Sequence, residues 1–341
     1  MRKILAPVGV LAAAILSLSA CSSGVVDTGT TNTPDRQSES GSGETESSSL
    51  PESCSSDNPL IAVLLPNQTN PYYVAMKTGF EEQAEEVGFK AEVQIADDDD
   101  AAQLAQAEAA LQKNPCALAF NPVKSEPAAA IVRAANDAGV PVFTVNVIVD
   151  ESALDAQGGS IIQYLGADNQ AGGAQVGEKV IEDMGEDAKL SIGFVTEPDE
   201  VPVVIRDEGF TDAVSVNPNA EVVAEVDGNV KVDDSLKVTT EMLQGNPDMN
   251  VIFASTGPAA QGALEAVKAS GRDVKVYGFC APEIPLTDLY PACVAQEPED
   301  YGRRVVDQVV SYVAGDSVDE EILRPLKMYV NGETPVPGEV G

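Results

Sequence analysis

The sequence predicts an α/β protein whose globular part consists of two doubly wound parallel-sheet lobes. Three observations carry this reading. From Pro59 onward, short apolar runs bounded by turn residues alternate with segments of helical period, the pattern of βαβ units in a parallel sheet covered on both faces. The alternation completes one doubly wound unit by Val145 and begins afresh at Ile161. With 341 residues, 43% of them apolar, the chain is long enough for two such units, each with a core.

The elements follow in order. Leu60 to Leu65 is the first strand, a continuous apolar run of the kind a strand buried on both faces requires. Helix Tyr72 to Val87, strand Ala91 to Ile95, helix Ala101 to Lys113, strand Ala117 to Phe120, helix Glu126 to Ala138 and strand Val142 to Val145 complete the first unit. Asp97 to Asp100 directly precede one of these helices, where carboxylates cap free amides and oppose the helix dipole; capping outweighs a metal cluster there. The second unit runs through strand Ile161 to Leu165, helix Gln170 to Met184, strand Leu190 to Val195, helix Val204 to Val216, strand Glu221 to Val226, helix Asp234 to Gln244, strand Val251 to Ala254, helix Ala259 to Ala269 and strand Val274 to Phe279. Strand Val294 to Gln296, helix Tyr301 to Ala314 and the segment Leu326 to Val330 remain to complete the sheets or cross between lobes.

The first 21 residues read as an export signal: Arg2 and Lys3 precede an apolar stretch from Ile4 to Leu18 that is shorter than a membrane-spanning helix needs. The end of that stretch, Leu18-Ser19-Ala20-Cys21, resembles the lipobox of bacterial lipoproteins, which implies cleavage before Cys21 and lipidation of its thiol. The alternative is an ordinary signal peptide with a chance cysteine. Residues 22–57 are Ser, Thr, Gly, Glu and Pro with few bulky apolar side chains, so they read as a disordered tether. The expected location is therefore the extracytoplasmic face of the cell membrane, with the chain held there by lipid.

Composition narrows the function. Fifty-five acidic against 20 basic residues give a net charge of -35, which argues against a nucleic-acid partner. The chain has no His, which removes Ser-His-Asp and Cys-His catalysis and every His-ligated zinc site. Setting Cys21 aside leaves Cys54, Cys116, Cys280 and Cys293, an even number that suits an exported chain. Four cysteines allow three pairings. Cys54 lies just before the first strand and Cys116 opens the third, neighbours if the strand order is 2-1-3, while Cys280 and Cys293 flank one short segment. The expected bonds are thus 54 with 116 and 280 with 293; the alternative is four buried thiols.

In doubly wound lobes ligands bind outside the carboxyl ends of the strands. The residues there, Asn67 to Asn70, Asn121, Asn146, Thr256, Cys280 and Gln296, are polar and mostly uncharged. Amides both donate and accept, as sugar hydroxyls do, so this wall suits a neutral hydroxylated ligand.

At Asn70-Pro71-Tyr72-Tyr73 with Lys77-Thr78-Gly79-Phe80, the chain resembles the ribose/galactose class of periplasmic (type I) solute-binding proteins of ABC importers. Further landmarks follow in order: Phe120-Asn121-Pro122, Gly139-Val140-Pro141-Val142, Gly166-Ala167-Asp168-Asn169, Arg206 with Gly209-Phe210, Gly262-Ala263-Leu264, Tyr277-Gly278-Phe279 and Ala295-Gln296. The resemblance spans about residues 58 to 330. It implies two Rossmann-like lobes joined by three crossovers, near Gly166 to Asp168, Gln296 to Pro298 and Arg324 to Lys327, with a ligand cleft between the lobes. The lobes would be 58–166 plus 297–325 and 167–296 plus 326–341. It also implies a small-molecule ligand, a sugar or polyol, an ABC permease as partner, and a monomer with no cofactor, no metal and no enzymatic activity.

The resemblance assigns Asn70, Tyr72 and Tyr73 to the first contact set, with the aromatic faces against the apolar C–H face of a sugar. Packing of a first helical turn on the core is the alternative for the two tyrosines. Asn121 matches a family amide, or else forms a turn before Pro122; Arg206 matches an arginine that reaches the ligand from the second lobe, or else is a solvated helix residue. Gln296 matches a hinge-side amide. Three positions depart from the ribose pattern: Asn146-Val147 replaces an Asp-Arg pair, Thr256-Gly257 replaces Asn-Asp, and Cys280 replaces a strand-end Asp. Each lost Asp removes a charge-assisted acceptor. Glu197, Asp199 and Glu200, on the loop before the Arg206 helix, either restore one or are solvated. Gly172 to Lys179 lacks the Gly-Lys-Ser/Thr of a phosphate loop and lies in a helix-period segment. Readings in competition with transport are a sensor that presents its closed form to a membrane receptor, a binder of a non-carbohydrate metabolite, and a two-carboxylate glycosidase.

Overall fold

The computed structural model describes residues 50–341; the signal segment, Cys21 and most of the tether lie outside the described residues. In chain order the first run is β1 (Leu60–Leu65), α1 (Pro71–Glu86), β2 (Lys90–Ile95), α2 (Asp100–Leu111), β3 (Ala117–Phe120), α3 (Ala128–Asp137), β4 (Val142–Val145), α4 (Glu151–Gln157) and β5 (Gln163–Ala167). The second run is α5 (Asn169–Met184), β6 (Leu190–Thr196), α6 (Val201–Val214), β7 (Ala220–Asp227), α7 (Val232–Gly245), β8 (Val251–Ala254), α8 (Gly257–Ser270), β9 (Lys275–Phe279) and β10 (Ala292–Ala295). The chain then continues with α9 (Pro298–Val313), β11 (Glu321–Arg324) and β12 (Lys327–Val330).

Two six-stranded sheets result, ordered β11-β5-β4-β3-β1-β2 and β12-β10-β9-β8-β6-β7. Pairing between named strands is parallel except for β12, which runs antiparallel on β10. The chain passes from one sheet to the other three times, between β5 and α5, between β10 and α9, and between β11 and β12. This is the expected pair of doubly wound lobes with three crossovers.

Each sheet is covered on both faces, and each face has its own apolar cluster. Tyr301, Val305, Val306 and Val309 of α9 join Tyr72, Tyr73, Met76 and Phe80 of α1 in one of them. The two helices approach closely because Gly79 faces α9: a Cβ there would lie 2.0 Å from the Glu299 carbonyl oxygen. Gly173 plays the same part between α5 and α6, where a Cβ would lie 2.0 Å from the Arg206 carbonyl oxygen.

The differences from the sequence reading have local causes. The pattern leaves α4 unread because none of its residues is buried, so no apolar period marks it. β11 is an edge strand of half-buried and exposed residues, Glu321 to Arg324, which also hides it. α6 begins at Val201 rather than Val204 because Pro202 is tolerated in a first helical turn, where its missing N–H is an orphan anyway. Asp99 caps α2, accepting from the Ala102 amide at 2.9 Å.

Cys54 is bonded to Cys116 and Cys280 to Cys293. The first bond pins a short 3-10 turn, Glu52–Ser55, to the start of β3, so residues read as the end of the tether are tied to the first sheet. In the chain-entropy picture, closing 62 residues stabilises the fold by about 4 kcal/mol. The double variant Cys54→Ser/Cys116→Ser should therefore unfold at a clearly lower urea midpoint, and an unchanged midpoint would show that the closure contributes nothing.

Candidate functional site

The carboxyl ends of the two sheets converge on one cavity of about 20 Å³, lined by Asn70, Tyr72, Tyr73, Asn146, Glu200, Arg206, Val230, Thr256, Gln296 and Gly341. That volume holds about one water, against the roughly 300 Å³ or more of an occupied small-molecule pocket. An outer groove of about 570 Å³, which also touches Asn70 and Val230, opens beside it between Pro71, Lys231 and Pro258. The lobes are thus drawn together over a small polar chamber.

Each wall has a local cause. Asn70 follows β1 and caps α1, its Oδ1 accepting from the Tyr72 amide at 3.0 Å, which leaves its NH2 without a partner among the described residues. Pro71 at the first helical position holds that turn in shape. Tyr72 and Tyr73 are buried and meet edge to face at 5.4 Å; they belong to the core cluster and line the cavity as well. The Tyr72 hydroxyl lies 2.9 Å from Asn146 Oδ1 and 3.0 Å from Gln296 Oε1. With one proton to give, it satisfies one of these oxygens, and the second contact is favourable when that amide turns its NH2 inward. Asn146 sits at φ 63°, a conformation Asn tolerates, and its carbonyl accepts from the Tyr164 hydroxyl.

From the second lobe, Arg206 enters at 4% exposure, which excludes the solvated alternative. Its Nε donates to Asn169 Oδ1 at 2.8 Å, one Nη donates to the Ser255 carbonyl at 2.9 Å, and the guanidinium lies 4.0 Å over the Phe279 ring. The second Nη has no partner, and no carboxylate forms an ion pair with Arg206 among the described residues. Thr256 caps α8 through Oγ1, accepting from the Ala259 amide, and its hydroxyl proton is free to donate.

Two expected contacts stand elsewhere. Cys280 is fully buried and bonded to Cys293, so it offers no side chain to a ligand; the strand-end position is spent on the disulfide. Asn121 is fully buried and outside the lining set, with Oδ1 accepting from the Val147 amide and Nδ2 left unpartnered. Of the three loop acids, Glu200 lines the cavity, whereas Asp199 pairs with Lys124 at the surface and Glu197 is buried near Asp227. Val230 and Gly341 escape the sequence reading. Val230 is a β-branched residue at φ 50°, an uncommon strain for this side chain, within the Asp227-Gly228-Asn229 turn that was its only sequence signal.

The lobes also meet along the rim. The Ser125 amide donates to the Asp199 carbonyl at 3.1 Å, and its Oγ accepts from the Val201 amide at 2.9 Å, so a residue of one lobe caps α6 of the other. Lys124 pairs with Asp199, and Lys231 lies 3.7 Å from Asp98.

A family model described as a periplasmic binding protein domain matches residues 61–317. The chain belongs to this family. The ribose import binding protein of Bacillus subtilis is 29% identical over 274 residues, covering 79% of this chain and 86% of that protein. A D-apiose import binding protein from Actinobacillus succinogenes is 26% identical over 271 residues, covering 78% and 85%. A solved ABC transporter solute-binding protein from Actinobacillus succinogenes, with bound D-allose, superposes at a TM-score of 0.72 with 24% identity, covering 80% of this chain and 98% of that one. The family is one of extracytoplasmic solute binders rather than catalysts.

The electrostatics of this binding protein's cavity are set by burial. Burial first, then the neighbouring Glu197, push the Glu200 carboxyl up to about 8 against the pull of Arg206. Asp207 is pushed up to about 6 by burial, although the Ser255 and Thr196 hydroxyls donate to it. Burial holds the Tyr72 and Tyr73 phenols well above their ordinary value, so both remain donors. Glu200 and Asp207 hold their protons more tightly folded than unfolded. Their stabilising effect is complete below the ordinary carboxylate values of 4.5 and 3.8 and is lost as pH rises through about 8 for Glu200 and about 6 for Asp207. The melting midpoint should therefore fall between pH 5 and 8.5. Glu200→Gln should flatten the upper part of that fall, and a profile identical to the parent's would show that Glu200 does not hold its proton more tightly in the folded state.

Proposed function

We propose that the chain is an extracytoplasmic solute-binding lipoprotein that captures a small neutral sugar or polyol by lobe closure and delivers it to an ABC importer. The lobes would be 58–166 with 297–325 and 167–296 with 326–341, and Cys21 would carry the lipid anchor. The observation that carries the reading is the chamber at the meeting strand ends. Two phenols and the amides of Asn70, Asn146 and Gln296 face a buried, unpaired Arg206 and a Glu200 that is neutral below about pH 8. Such a set offers donors and acceptors together, as a ring of hydroxyls requires, with the Arg206 charge met by Asn169 Oδ1, the Ser255 carbonyl and the Phe279 face. Tyr72 and Tyr73 would cover the apolar face of the ring. Ribose and apiose import by the relatives, and the allose bound in the similar structure, support a monosaccharide.

Closure gives the permease something to recognise. The rim bonds of Ser125, Lys124 and Lys231 exist only while the lobes are together, so a docking face drawn from both lobes distinguishes loaded from open protein.

Calorimetric titration of the domain beginning at Glu52 with D-ribose, D-apiose, D-allose, polyols and amino acids tests the reading. A sugar or polyol should bind, and Tyr72→Ala and Arg206→Gln should each weaken it about tenfold or more, the scale of one charged or well-packed contact. Binding of an amino acid with silence across the sugars would sink the sugar assignment. For the anchor, Cys21→Ser should release the full-length protein from membranes and abolish an acylated mass; membrane retention without change would refute lipidation at Cys21.

A further inference from the structure

One wall of the chamber, Gly341, comes from a stretch with no sequence signal, the segment that follows β12. After Val330 the chain turns back toward the crossovers. Lys327 Nζ pairs with Glu339 at 2.8 Å, and the Tyr329 hydroxyl bonds the same carboxylate. Val340 is 2% exposed and packs in the first lobe's core cluster with Tyr72 and Tyr73. Its amide donates to the Gln296 carbonyl at 3.1 Å, and its carbonyl accepts from the Gln296 amide at 2.8 Å. Gly341 then joins the second lobe, its amide donating to the Cys280 carbonyl at 2.9 Å and its carbonyl accepting from the Gly257 amide at 2.9 Å. A Cβ on Gly341 would lie 2.4 Å from Phe279 Cβ, so the backbone is seated directly on the end of β9.

Resting on the proposed function, we infer that residues Glu339–Gly341 are a fixed main-chain wall of the solute site, tied to both lobes beside the crossovers, which limits the site to a single small solute lying against Gly341. The alternative arrangement, a strap that occupies the sugar's place and leaves when sugar enters, conflicts with the bonding. Withdrawal would strand the Gly257 amide at the start of α8, both main-chain groups of Gln296 and the Cys280 carbonyl, and would pull Val340 out of the core. The rim has no such anchoring. Its ties are one hydroxyl, one main-chain bond and two exposed ion pairs, which are weak. Room for a solute is therefore made by parting the rim, while the strap stays seated. The strap also takes over the end of β9, where the Cys280 side chain is committed to the disulfide.

Amide hydrogen exchange on the unmodified protein, without sugar and with D-ribose, tests this directly. The Gly257, Gln296, Val340 and Gly341 amides should exchange slowly in both conditions, while the Ser125 and Val201 amides exchange quickly until sugar is added. Rapid exchange at the strap without sugar, or loss of its protection on adding sugar, would overturn the inference. In parallel, Gly341→Ala, whose Cβ would meet Phe279 and the Cys280 backbone nitrogen, should lower the affinity for whichever panel sugar the parent binds by about tenfold and lower the melting midpoint as well. Equal affinity would show that the strap is no wall, and tighter binding would show that it competes with sugar. If no sugar binds the parent protein, the functional reading fails, and exchange at the four strap amides still decides the place of the strap.

Discussion

A buried guanidinium that forms no ion pair with a side-chain carboxylate among the described residues governs the arrangement of the second lobe's wall. Burying a charge is costly unless it is paired or hydrogen-bonded, and Arg206 meets that cost with neutral partners: the Asn169 amide oxygen, the Ser255 carbonyl and the face of Phe279. Each partner comes from a different element, α5, the end of β8 and β9. Asn169 shares α5 with Gly173, where α5 and α6 lie almost backbone to backbone. The remaining donor faces the chamber. A residue that a helical pattern alone would leave on the surface becomes the cation around which the second lobe's binding wall is organised.

The groups that share the chamber with Arg206 are neutral and come from both lobes. Tyr72, Asn146 and Gln296 form one hydrogen-bonded cluster, and burial keeps the phenols protonated. Glu200 adds a carboxyl that burial holds neutral up to about pH 8. The acids that the ribose pattern places at strand ends are missing here, and an acceptor arrives instead from the loop that starts α6. The acid stands in another place, and burial there keeps it protonated at neutral pH.

Closure and permanence are separated in space. At the rim the lobes touch through Ser125, Lys124 and Lys231, contacts that are few and partly exposed. Beside the crossovers, Val340 and Gly341 bond to both lobes through the main chain and bury an apolar side chain. The molecule thus has a weak edge able to open and a firm edge about which opening occurs, the division of labour expected of a hinge-closing binder.

Local information decided the order of strands and helices, because apolar runs bounded by Asn, Pro and Gly need no distant partner to be recognised. It also marked Asn70, Asn146, Thr256 and Gln296, polar residues that follow apolar strands, and Tyr72 and Tyr73 in the first turn of the helix after β1. It was blind to α4, which buries nothing, and to β11, an edge strand with charged ends. Three features of the site depended on contacts far apart in the chain. Cys280 faced a choice between cavity and disulfide that the position of Cys293 settled; Glu200 lines the cavity between Asp199 and Val201, which both bond Ser125 of the other lobe; and Gly341 bonds groups at 257 and 280 while Val340 bonds Gln296. The sequence by itself determined which residues end each strand, since that follows from local polarity and periodicity. Only the tertiary structure decided which of them share the chamber, because that depends on how closely two lobes approach and on which buried groups find a partner.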